Sequence, residues 1–483
     1  MFLREPLFSL LGLLLCSLFL ETLVRPKSIK IPQPVGLATH SLLVTGVYGI
    51  ILLVSGSSLF AAILTFCLTL TLVIASNLKW SVLDEPLVFS DLRFIKDLLK
   101  HPKFYIFAIP CAIRWGVGIA LVFIGAGYGA ALQLNYPVSV RFFALSLIVG
   151  CTFTLTLLPA TRWAPFPALK ADLTRFGLLG CLFIYWRCWQ KQTLSEKPYP
   201  ENTQEVDTIF DLIIVVQCES FTDPKTLNLP STMGVASMPN LAHARSVACQ
   251  YGSLEVSNFG AYTIRTEYGV LFGRSEEQLG FQKFDPYITA EHDAALSLPY
   301  KLGQAGYQSV FLHPYTLDFA NRRSLMTKIG FTTVLGSEAF PHTPTPDMPY
   351  VSDETLATKL LTLSRNSEKP LFLYAVTIEN HGPWQEQNKP LETYLKHLEN
   401  SDHMIGQLMR GLTAENRSAL LVFFGDHRPS IAPDLQPTPD RGTPYFVIPF
   451  IKGKKVNQKI NYKNLLPAEL HHMIVNLSLK TKP

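Results

Sequence analysis

The sequence predicts an N-terminal α-helical membrane domain of about five spans, followed by a C-terminal α/β domain. Only 16% of the 483 residues are charged, whereas an ordinary soluble domain is about a quarter charged. Apolar runs long enough to cross a bilayer fill the first 160 residues. Beyond residue 208, short β-rich runs alternate with helical stretches, as in a mostly parallel sheet. A fully soluble protein is therefore excluded.

Five apolar runs form the predicted transmembrane domain, residues 1–160. A spanning helix needs roughly 20 apolar residues, and about 17 are tolerated. Four runs meet that length, and the second can borrow residues from the Ser-Gly linker that follows it. The first run could instead be a signal peptide, but no small-x-small cleavage site follows it before Arg25. The runs cover residues 6–24, 41–54, 59–75, 104–132 and 142–160.

Residues 161–207 are predicted to form an interfacial linker helix. Its apolar part covers residues 176–186, which is too short to span a bilayer. Basic residues flank this part on both sides, as in an amphipathic helix that lies along a membrane surface.

Charge divides the chain into a basic first part and a mildly acidic second part. Residues 1–200 hold 17 Lys and Arg against 8 Asp and Glu, and the remainder holds 25 against 29. Because the basic excess lies among membrane-like segments, it argues against nucleic acid as a partner. The positive-inside rule alone would place the second domain in the cytoplasm. Five spans that start from a cytoplasmic N-terminus place it outside, and the basic third loop can bind anionic lipid on either leaflet.

The second domain, residues 208–483, contains five nearly continuous apolar runs, as expected for strands of a sheet that is covered on both faces. Helix candidates lie near 296–305, 353–364 and 392–412. The predicted strands cover residues 211–217, 309–313, 370–377, 419–424 and 444–451.

Charged or metal-capable residues lie at the ends of four of these strands. They are Glu219, His313, His381 and the adjacent pair Asp426 and His427. Open α/β sheets bind ligands at the carboxyl ends of their strands, so we expect these residues to meet in one site. A carboxylate beside an Asp-His pair, without thiolate, suits one divalent ion such as Mn²⁺, Mg²⁺ or Zn²⁺.

A glycine- and hydroxyl-rich stretch, GAYTIRTEYGVLFG at 260–273, could supply the missing ligand and a nucleophile. A hydroxyl bound to a metal ion loses its proton more easily and becomes a better nucleophile. The residues alone do not choose among Tyr262, Thr263 and Thr266.

The second domain resembles the lipoteichoic acid synthase family, which includes membrane phosphoglycerol transferases of the alkaline phosphatase and sulfatase superfamily. Five pieces carry the resemblance, in the order IVVQCES, GAYTIRTEY, FLHPYTLDFANRRSLMTKIGF, TIENHGPW and FFGDHRP. The five predicted spans and the segment PLVFSDLRFIKD match as well. The resemblance implies an alkaline-phosphatase/sulfatase-like catalytic domain that faces outward from a bacterial cytoplasmic (inner) membrane. It also implies one divalent metal ion, with Mn²⁺ expected and Mg²⁺ or Zn²⁺ as alternatives.

The resemblance also implies roles for single residues. Thr263 lies in a stretch that matches G-x-x-T-x-x-[ST]-E-[FY], which makes it the catalytic nucleophile. His381 matches a histidine that serves the substrate or the leaving group. Arg322 and His313 match substrate-binding residues that are expected to neutralise phosphate oxygens. The implied metal ligands are Glu219, Thr263, Asp426 and His427.

The implied activity is a metal-dependent phosphotransferase. Thr263 would take a phospho-head-group from a membrane phospholipid, with glycerophosphate from phosphatidylglycerol expected, and pass it to a cell-envelope glycan or glycolipid. Ala320 departs from the family, whose glycerophosphate-handling members often carry Trp there, so a phosphoethanolamine transferase stays an alternative. A phosphatase or phosphodiesterase of the same fold and a non-catalytic lipid-sensing membrane protein are the others. No cysteine lies in a sulfatase nucleophile context, which argues against an arylsulfatase.

Overall fold

Secondary structure changes near residue 193, where a helical unit gives way to an α/β unit. The two units are Met1–Thr193 and Leu194–Pro483. The computed structural model describes residues 3–27, 32–93, 137–192, 206–229, 236–345, 348–384, 389–431, 434–455 and 460–481, with a few isolated residues between these ranges.

Apolar composition accounts for the helices of the first unit. Three of them, Pro34–Ser55, Ser58–Leu83 and Val138–Leu157, are long and apolar enough to cross a membrane. The count of about five spans stays a prediction, because α1 carries three charged residues and most of run 104–132 lies outside the described residues. The helices are α1 Arg4–Glu21, α2 Pro34–Ser55, α3 Ser58–Leu83, α4 Val138–Leu157, α5 Ala160–Trp163 and α6 Leu169–Lys191.

The second predicted span reaches its length from its N-terminal side, not from the Ser-Gly linker. Helix α2 begins at Pro34, and proline suits the first helical position because its missing N–H would be unpaired there anyway. Gly56 ends the helix in the left-handed conformation, with φ 70°. Ser57 then accepts the Phe60 N–H over 3.3 Å and caps α3. The linker therefore separates two helices.

The predicted linker helix forms α6 and packs within the first unit. Gly177 interrupts it with φ 72°, and the Glu21 carboxylate accepts the Leu178 N–H over 2.8 Å just after the break. The Arg175 carbonyl accepts the Gln33 N–H over 2.8 Å, which ties α6 to the start of α2. The interfacial location of residues 161–207 stays a prediction.

The main sheet of the second unit is the mostly parallel sheet that the sequence predicts. Its order is β10-β3-β8-β7-β2-β6-β4-β5, with β9 paired to β8. Strands β7, β2, β6, β4 and β5 are parallel, and β8 runs antiparallel to β7. The strands are β1 Val206–Thr208, β2 Leu212–Cys218, β3 Gln250–Leu254, β4 Gln308–Leu312, β5 Thr333–Leu335, β6 Leu371–Val376, β7 Ala419–Gly425, β8 Thr443–Ile451, β9 Lys454–Lys455, β10 Asn461–Tyr462 and β11 Leu479–Thr481.

Helices cover both faces of this sheet. Successive residues of β2 alternate between two cores: Ile214 and Val216 pack with α7, α12 and α13, whereas Ile213 and Val215 pack with α8, α10, α11 and α14. All seven residues of β2 are buried, which explains why the strand reads as a continuous apolar run. The helices are α7 Pro239–Val247, α8 Thr263–Phe272, α9 Glu276–Leu279, α10 Leu298–Gln304, α11 Arg322–Lys328, α12 Asp353–Arg365, α13 Pro390–Ala414 and α14 Pro467–Ser478.

Candidate metal and phosphoryl-transfer site

The carboxyl ends of β2 and β7 bring together three of the predicted metal ligands. These strands are parallel neighbours with Cys218 opposite Gly425, so the residues that follow them emerge side by side. Ligand atoms of Glu219, Asp426 and His427 all lie within 4.8 Å of one another, and all three residues are buried. His427 Nε2 is 3.4 Å from Glu219 Oε1 and 3.6 Å from Asp426 Oδ2.

One oxygen of Asp426 is anchored and the other has no partner. Oδ1 accepts the backbone N–H groups of Ser220 and His427, each over 2.8 Å. Oδ2 is buried and has no hydrogen-bond partner. A buried carboxylate oxygen without a donor is rare in folded proteins, and here it lies beside two further ligand groups. The geometry fits a cation at this point.

The ring of His427 is oriented by the backbone beside it. Nδ1 donates to the Arg428 carbonyl over 3.1 Å, which leaves Nε2 turned toward the two carboxylates, as in many histidine ligands. The same carbonyl accepts the Gly260 N–H over 2.8 Å. The end of β7 is thereby tied to the loop that precedes α8.

The charges of the three residues are strongly coupled. Burial and the neighbouring Glu219 charge raise the pKa of Asp426 to about 7. Burial also acts to raise the pKa of Glu219, but its neighbours, with His427 the strongest among them, outweigh it and lower that pKa. Burial acts to lower the pKa of His427, and the two carboxylates more than reverse this. Protons thus balance the charge that a divalent ion would balance when bound.

Thr263 is the first residue of α8 and points its hydroxyl at this group. Its Oγ1 lies 3.3 Å from Glu219 Oε2 and 3.5 Å from His427 Nε2. Tyr262 precedes it in the left-handed conformation, with φ 68°, and this sharp turn lets the helix begin next to the strand ends. The N-terminus of a helix also favours negative charge.

The two alternative nucleophiles are engaged elsewhere. The Thr266 hydroxyl is buried, donates to the Asp426 carbonyl over 2.8 Å and lies 3.2 Å from Asn258 Oδ1. The Tyr262 ring lies 4.0 Å from the Arg265 guanidinium carbon. This geometry favours Thr263, whose catalytic role stays a prediction.

The two predicted substrate-binding residues differ in charge. Arg322 is buried and donates from Nη2 to Glu267 over 2.7 Å. His313 donates from Nδ1 to the Val376 carbonyl over 3.1 Å, and burial together with the Arg322 charge lowers its pKa to about 3. His313 is therefore neutral at ordinary pH, and Nε2 is a hydrogen-bond acceptor. In this state Nε2 would accept a hydrogen bond from a substrate hydroxyl, and the role of His313 in substrate binding stays a prediction.

His381 follows β6 in a half-buried turn. Its Nδ1 lies 2.6 Å from the Gly382 carbonyl and 3.4 Å from Tyr350 Oη, and Tyr350 donates to the same carbonyl over 2.6 Å. The Tyr350 and His381 rings meet edge to face at 5.8 Å. His381 also contributes to the lowered pKa of Glu219, which places it near the metal-capable group.

Sequence reasoning missed the residues that support the site. Thr377 accepts the Glu219 N–H over 3.0 Å, Tyr350 holds the His381 turn, and Glu267 binds Arg322. Glu267 had a signal in the sequence, because it is the glutamate of the stretch that matches G-x-x-T-x-x-[ST]-E-[FY] and stands four residues after Thr263, on the same helix face. Thr377 and Tyr350 meet the site only through the tertiary fold.

Comparison with known proteins places the chain in a family. Residues 211–474 match the sulfatase family model, a span that includes every candidate site residue. The capsular polysaccharide biosynthesis protein RkpI of Rhizobium meliloti (strain 1021) is 30% identical over 431 residues, which are 83% of this chain and 79% of that protein. A putative cyclic β-1,2-glucan modification protein of the same organism is 27% identical over 289 residues, 56% of this chain and 42% of that protein.

Among solved structures, the phosphoglycerol transferase GacH of Streptococcus pyogenes, in complex with sn-glycerol-1-phosphate, is similar with a TM-score of 0.45. The two are 18% identical, and the match covers 56% of this chain and 75% of that chain. The family match confirms the predicted sulfatase-like α/β domain. By the extent of that match and by the similarity to RkpI along most of both chains, this protein belongs to the sulfatase family.

Proposed function

We propose that this chain is a membrane-anchored, metal-dependent phosphotransferase that moves glycerophosphate from phosphatidylglycerol to a cell-envelope glycan or glycolipid. One observation carries the proposal: the Thr263 hydroxyl lies 3.3 Å from Glu219 and 3.5 Å from His427, beside the unpartnered Oδ2 of Asp426. A hydroxyl held there is suited to act as a nucleophile.

Glu219, Asp426 and His427 would hold one divalent ion, with Thr263 as a further ligand as the resemblance implies. Oxygen and imidazole ligands without thiolate suit Mn²⁺, the expected ion, and also Mg²⁺ or Zn²⁺. Such an ion supplies positive charge that favours ionisation of a nearby hydroxyl and stabilises charge on a phosphoryl group.

The residues divide the chemistry into two displacements. In the first, the ionised Oγ1 of Thr263 forms a bond to the head-group phosphorus, the bond from phosphorus to the diacylglycerol oxygen breaks, and protonated His381 gives its proton to that oxygen. In the second, His381 takes the proton of an acceptor hydroxyl, whose oxygen displaces Thr263 from phosphorus. Arg322 binds the non-bridging phosphate oxygens in both steps.

Charge near the site favours glycerophosphate over phosphoethanolamine. Glu267 and Glu379 are the acidic residues next to the site motifs that could attract an ammonium group. Glu267 is fully buried and binds Arg322, while Glu379 accepts the Asp353 N–H and the Asn400 side-chain amide, each over 2.6 Å. Nε2 of His313 can accept a hydrogen bond from a glycerol hydroxyl.

The first unit, Met1–Thr193, supports a lipid donor and is called the membrane unit below. Three helices of the described residues can cross a membrane by length and composition, and tethering an enzyme beside its substrate raises the effective concentration. We propose a multi-pass protein of the bacterial cytoplasmic membrane whose catalytic domain faces outward. The names of the two relatives, for capsular polysaccharide biosynthesis and cyclic β-1,2-glucan modification, support a glycan acceptor.

The test uses the full chain in liposomes with Mn²⁺ and one labelled donor at a time, phosphatidylglycerol or phosphatidylethanolamine with label in the head group. We expect glycerol label on the Thr263 peptide by mass spectrometry and then on an added glycan. Ethanolamine on the peptide would contradict the glycerophosphate assignment and keep the phosphotransferase. Head group released to water at the same rate with and without glycan would indicate a hydrolase. No added mass and no bound metal would favour the non-catalytic alternative.

A further inference from the structure

We infer that Glu267 is a positioning residue that aims Arg322 at the phosphoryl group carried by Thr263. The inference rests on the proposed function, which gives Arg322 its substrate. It adds a residue whose carboxylate acts through the guanidinium and does not itself touch the substrate.

The two side chains form a buried pair with two contacts. Arg322 is 3% exposed and Glu267 is 0% exposed. Nη2 donates to Glu267 Oε2 over 2.7 Å, and Nε lies 3.4 Å from Oε1. Nη1 has no partner in the described part of the chain. The guanidinium is therefore held by one edge, and its remaining nitrogen is left for another anion.

Glu267 itself is fixed and has no oxygen to spare. Oε1 also accepts the Tyr287 hydroxyl, and Oε2 lies 3.5 Å from Gln217 Nε2. Gln217 in turn accepts the Tyr374 hydroxyl over 2.7 Å. A carboxylate that accepts hydrogen bonds at both oxygens is held in place, so it can fix the position of a neighbouring guanidinium. It has little capacity left to bind substrate itself.

Glu267 stands one helical turn from the predicted nucleophile. Residues four apart on a helix share a face, about 6 Å apart along the axis, so Thr263 and Glu267 lie on one face of α8. The backbone before Arg322 is also unusual, since Ala320 and Asn321 both have φ 53°. Non-glycine residues in that conformation need support from surrounding contacts. The contact of Glu267 with Arg322, the next residue in the chain, gives this support.

The positions of the charges agree with this placement. The Glu219 charge contributes to the raised pKa of Arg322, and the Arg322 charge contributes to the lowered pKa of His313. The guanidinium thus lies within electrostatic range of Glu219 and of His313.

A purely structural ion pair between α8 and α11 is the competing explanation, and a double-mutant cycle separates the two. We would prepare the full chain in detergent with Mn²⁺ as wild type, Glu267→Gln, Arg322→Gln and the double variant. The readouts are the Kd of glycerol phosphate by calorimetry and the turnover of a soluble chromogenic phosphodiester. Glu338→Gln is the matched control, because it removes the exposed 2.8 Å ion pair of Arg323 on the same helix.

We expect Glu267→Gln to weaken glycerol phosphate binding about tenfold to a hundredfold, the loss of one charge-assisted contact. In the Arg322→Gln background it should cost nothing further, because its effect passes through Arg322. Glu338→Gln should leave Kd and turnover unchanged. Additive losses, or an unchanged Kd in either single variant, would overturn the inference.

Two further outcomes are separable. If the wild type binds no glycerol phosphate, the head-group assignment fails, and the same cycle read on phosphodiester turnover still decides the role of Glu267. If thermal unfolding shows that Glu267→Gln is not folded, Tyr287→Phe removes one hydrogen bond and keeps the ion pair. Tyr287→Phe should weaken glycerol phosphate binding a few-fold in the wild-type background and not in the Arg322→Gln background. An equal loss in both backgrounds would contradict the inference.

Discussion

Of the two threonines in α8, only Thr263 should be needed for turnover. Thr263→Ala should abolish turnover and keep part of the metal affinity, because Glu219, Asp426 and His427 remain. Thr266→Ala should retain turnover within about tenfold and lower the free energy of unfolding by about 1 kcal/mol, the net value of a buried hydrogen bond. Head-group transfer and metal titration on both variants test this. An inactive Thr266→Ala beside an active Thr263→Ala would reverse the assignment.

The unpartnered oxygen of Asp426 gives a second prediction. Chelation should stop turnover, and Mn²⁺ or Mg²⁺ should restore it. Asp426→Asn keeps an acceptor for the Ser220 N–H and loses one ligand charge, so we expect metal affinity to fall by roughly a hundredfold or more. Glu219→Ala should behave alike. Calorimetric metal titration beside an activity assay measures both effects, and full activity in excess chelator would contradict the metal mechanism.

Residue positions were predictable only where strand geometry determines them. Glu219, Asp426 and His427 follow parallel neighbours, so their meeting follows from the sheet. The lowered pKa of His313 depends on burial and on the Arg322 charge, and the partner of Arg322 depends on a helix elsewhere in the chain. Such contacts leave no pattern in the local sequence.

At the scale of elements, buried strands were the easiest to predict, because burial on both faces makes them continuous apolar runs. Helix α2 begins at Pro34, before the apolar run 41–54 that predicted it, because hydropathy marks only the apolar part of a helix. His40 is nevertheless buried there, with Nδ1 3.0 Å from Glu21 Oε1 and Nε2 3.0 Å from Ser17 Oγ. A polar residue that is paired across helices fits where hydropathy alone would exclude it.

The start of α12 joins three elements through a buried acid. Ser401 of α13 donates to Asp353 Oδ2 over 2.6 Å, and Glu379, after β6, accepts the Asp353 N–H. Asp353 Oδ1 has no partner. Burial, with the Glu379 charge second, raises the pKa of Asp353 to about 8. This junction supports the turn that carries His381.

This raised pKa predicts a pH-dependent stability. An unfolded Asp has a pKa near 3.9, so the folded chain holds an extra proton between about pH 4 and 8, and its stability falls as pH rises through that range. Asp353→Asn keeps an acceptor for Ser401 and removes the titration. The difference in Tm, variant minus wild type, should therefore increase by several degrees from pH 5 to pH 8. Each kcal/mol of unfolding free energy corresponds to roughly 2–4 °C in Tm. A constant Tm difference across that range would contradict the assignment.

At the scale of the whole molecule, the α/β unit has the contents of an independent domain. It has its own sheet with a core on each face, and β1 near its start pairs with β11 at its end. A cut at residue 208 would remove most of β1, so the isolated unit is better begun at residue 194, where the second unit starts. Composition shows that the chain has two parts, but this pairing of distant ends is a tertiary contact.

The membrane unit should matter for lipid donors and not for soluble ones. Residues 194–483 alone should fold, bind metal and cleave a soluble chromogenic phosphodiester within a few-fold of the full chain, because every candidate site residue is present. Transfer from phosphatidylglycerol in bilayers should fall by about a hundredfold or more, since tethering commonly contributes 10²–10⁴ in effective affinity. Both rates, measured on the same preparations, test this.

Recruiting a His-tagged form of the isolated unit to nickel-bearing lipid is the matched control, because it restores proximity without the helices. Recovery of transfer would mean that the membrane unit contributes a tether alone. Partial recovery would mean that its helices also present the lipid to Thr263. If the untethered unit matched the full chain on bilayers, the membrane unit would have no part in donor use, and the lipid-donor explanation of this architecture would be wrong.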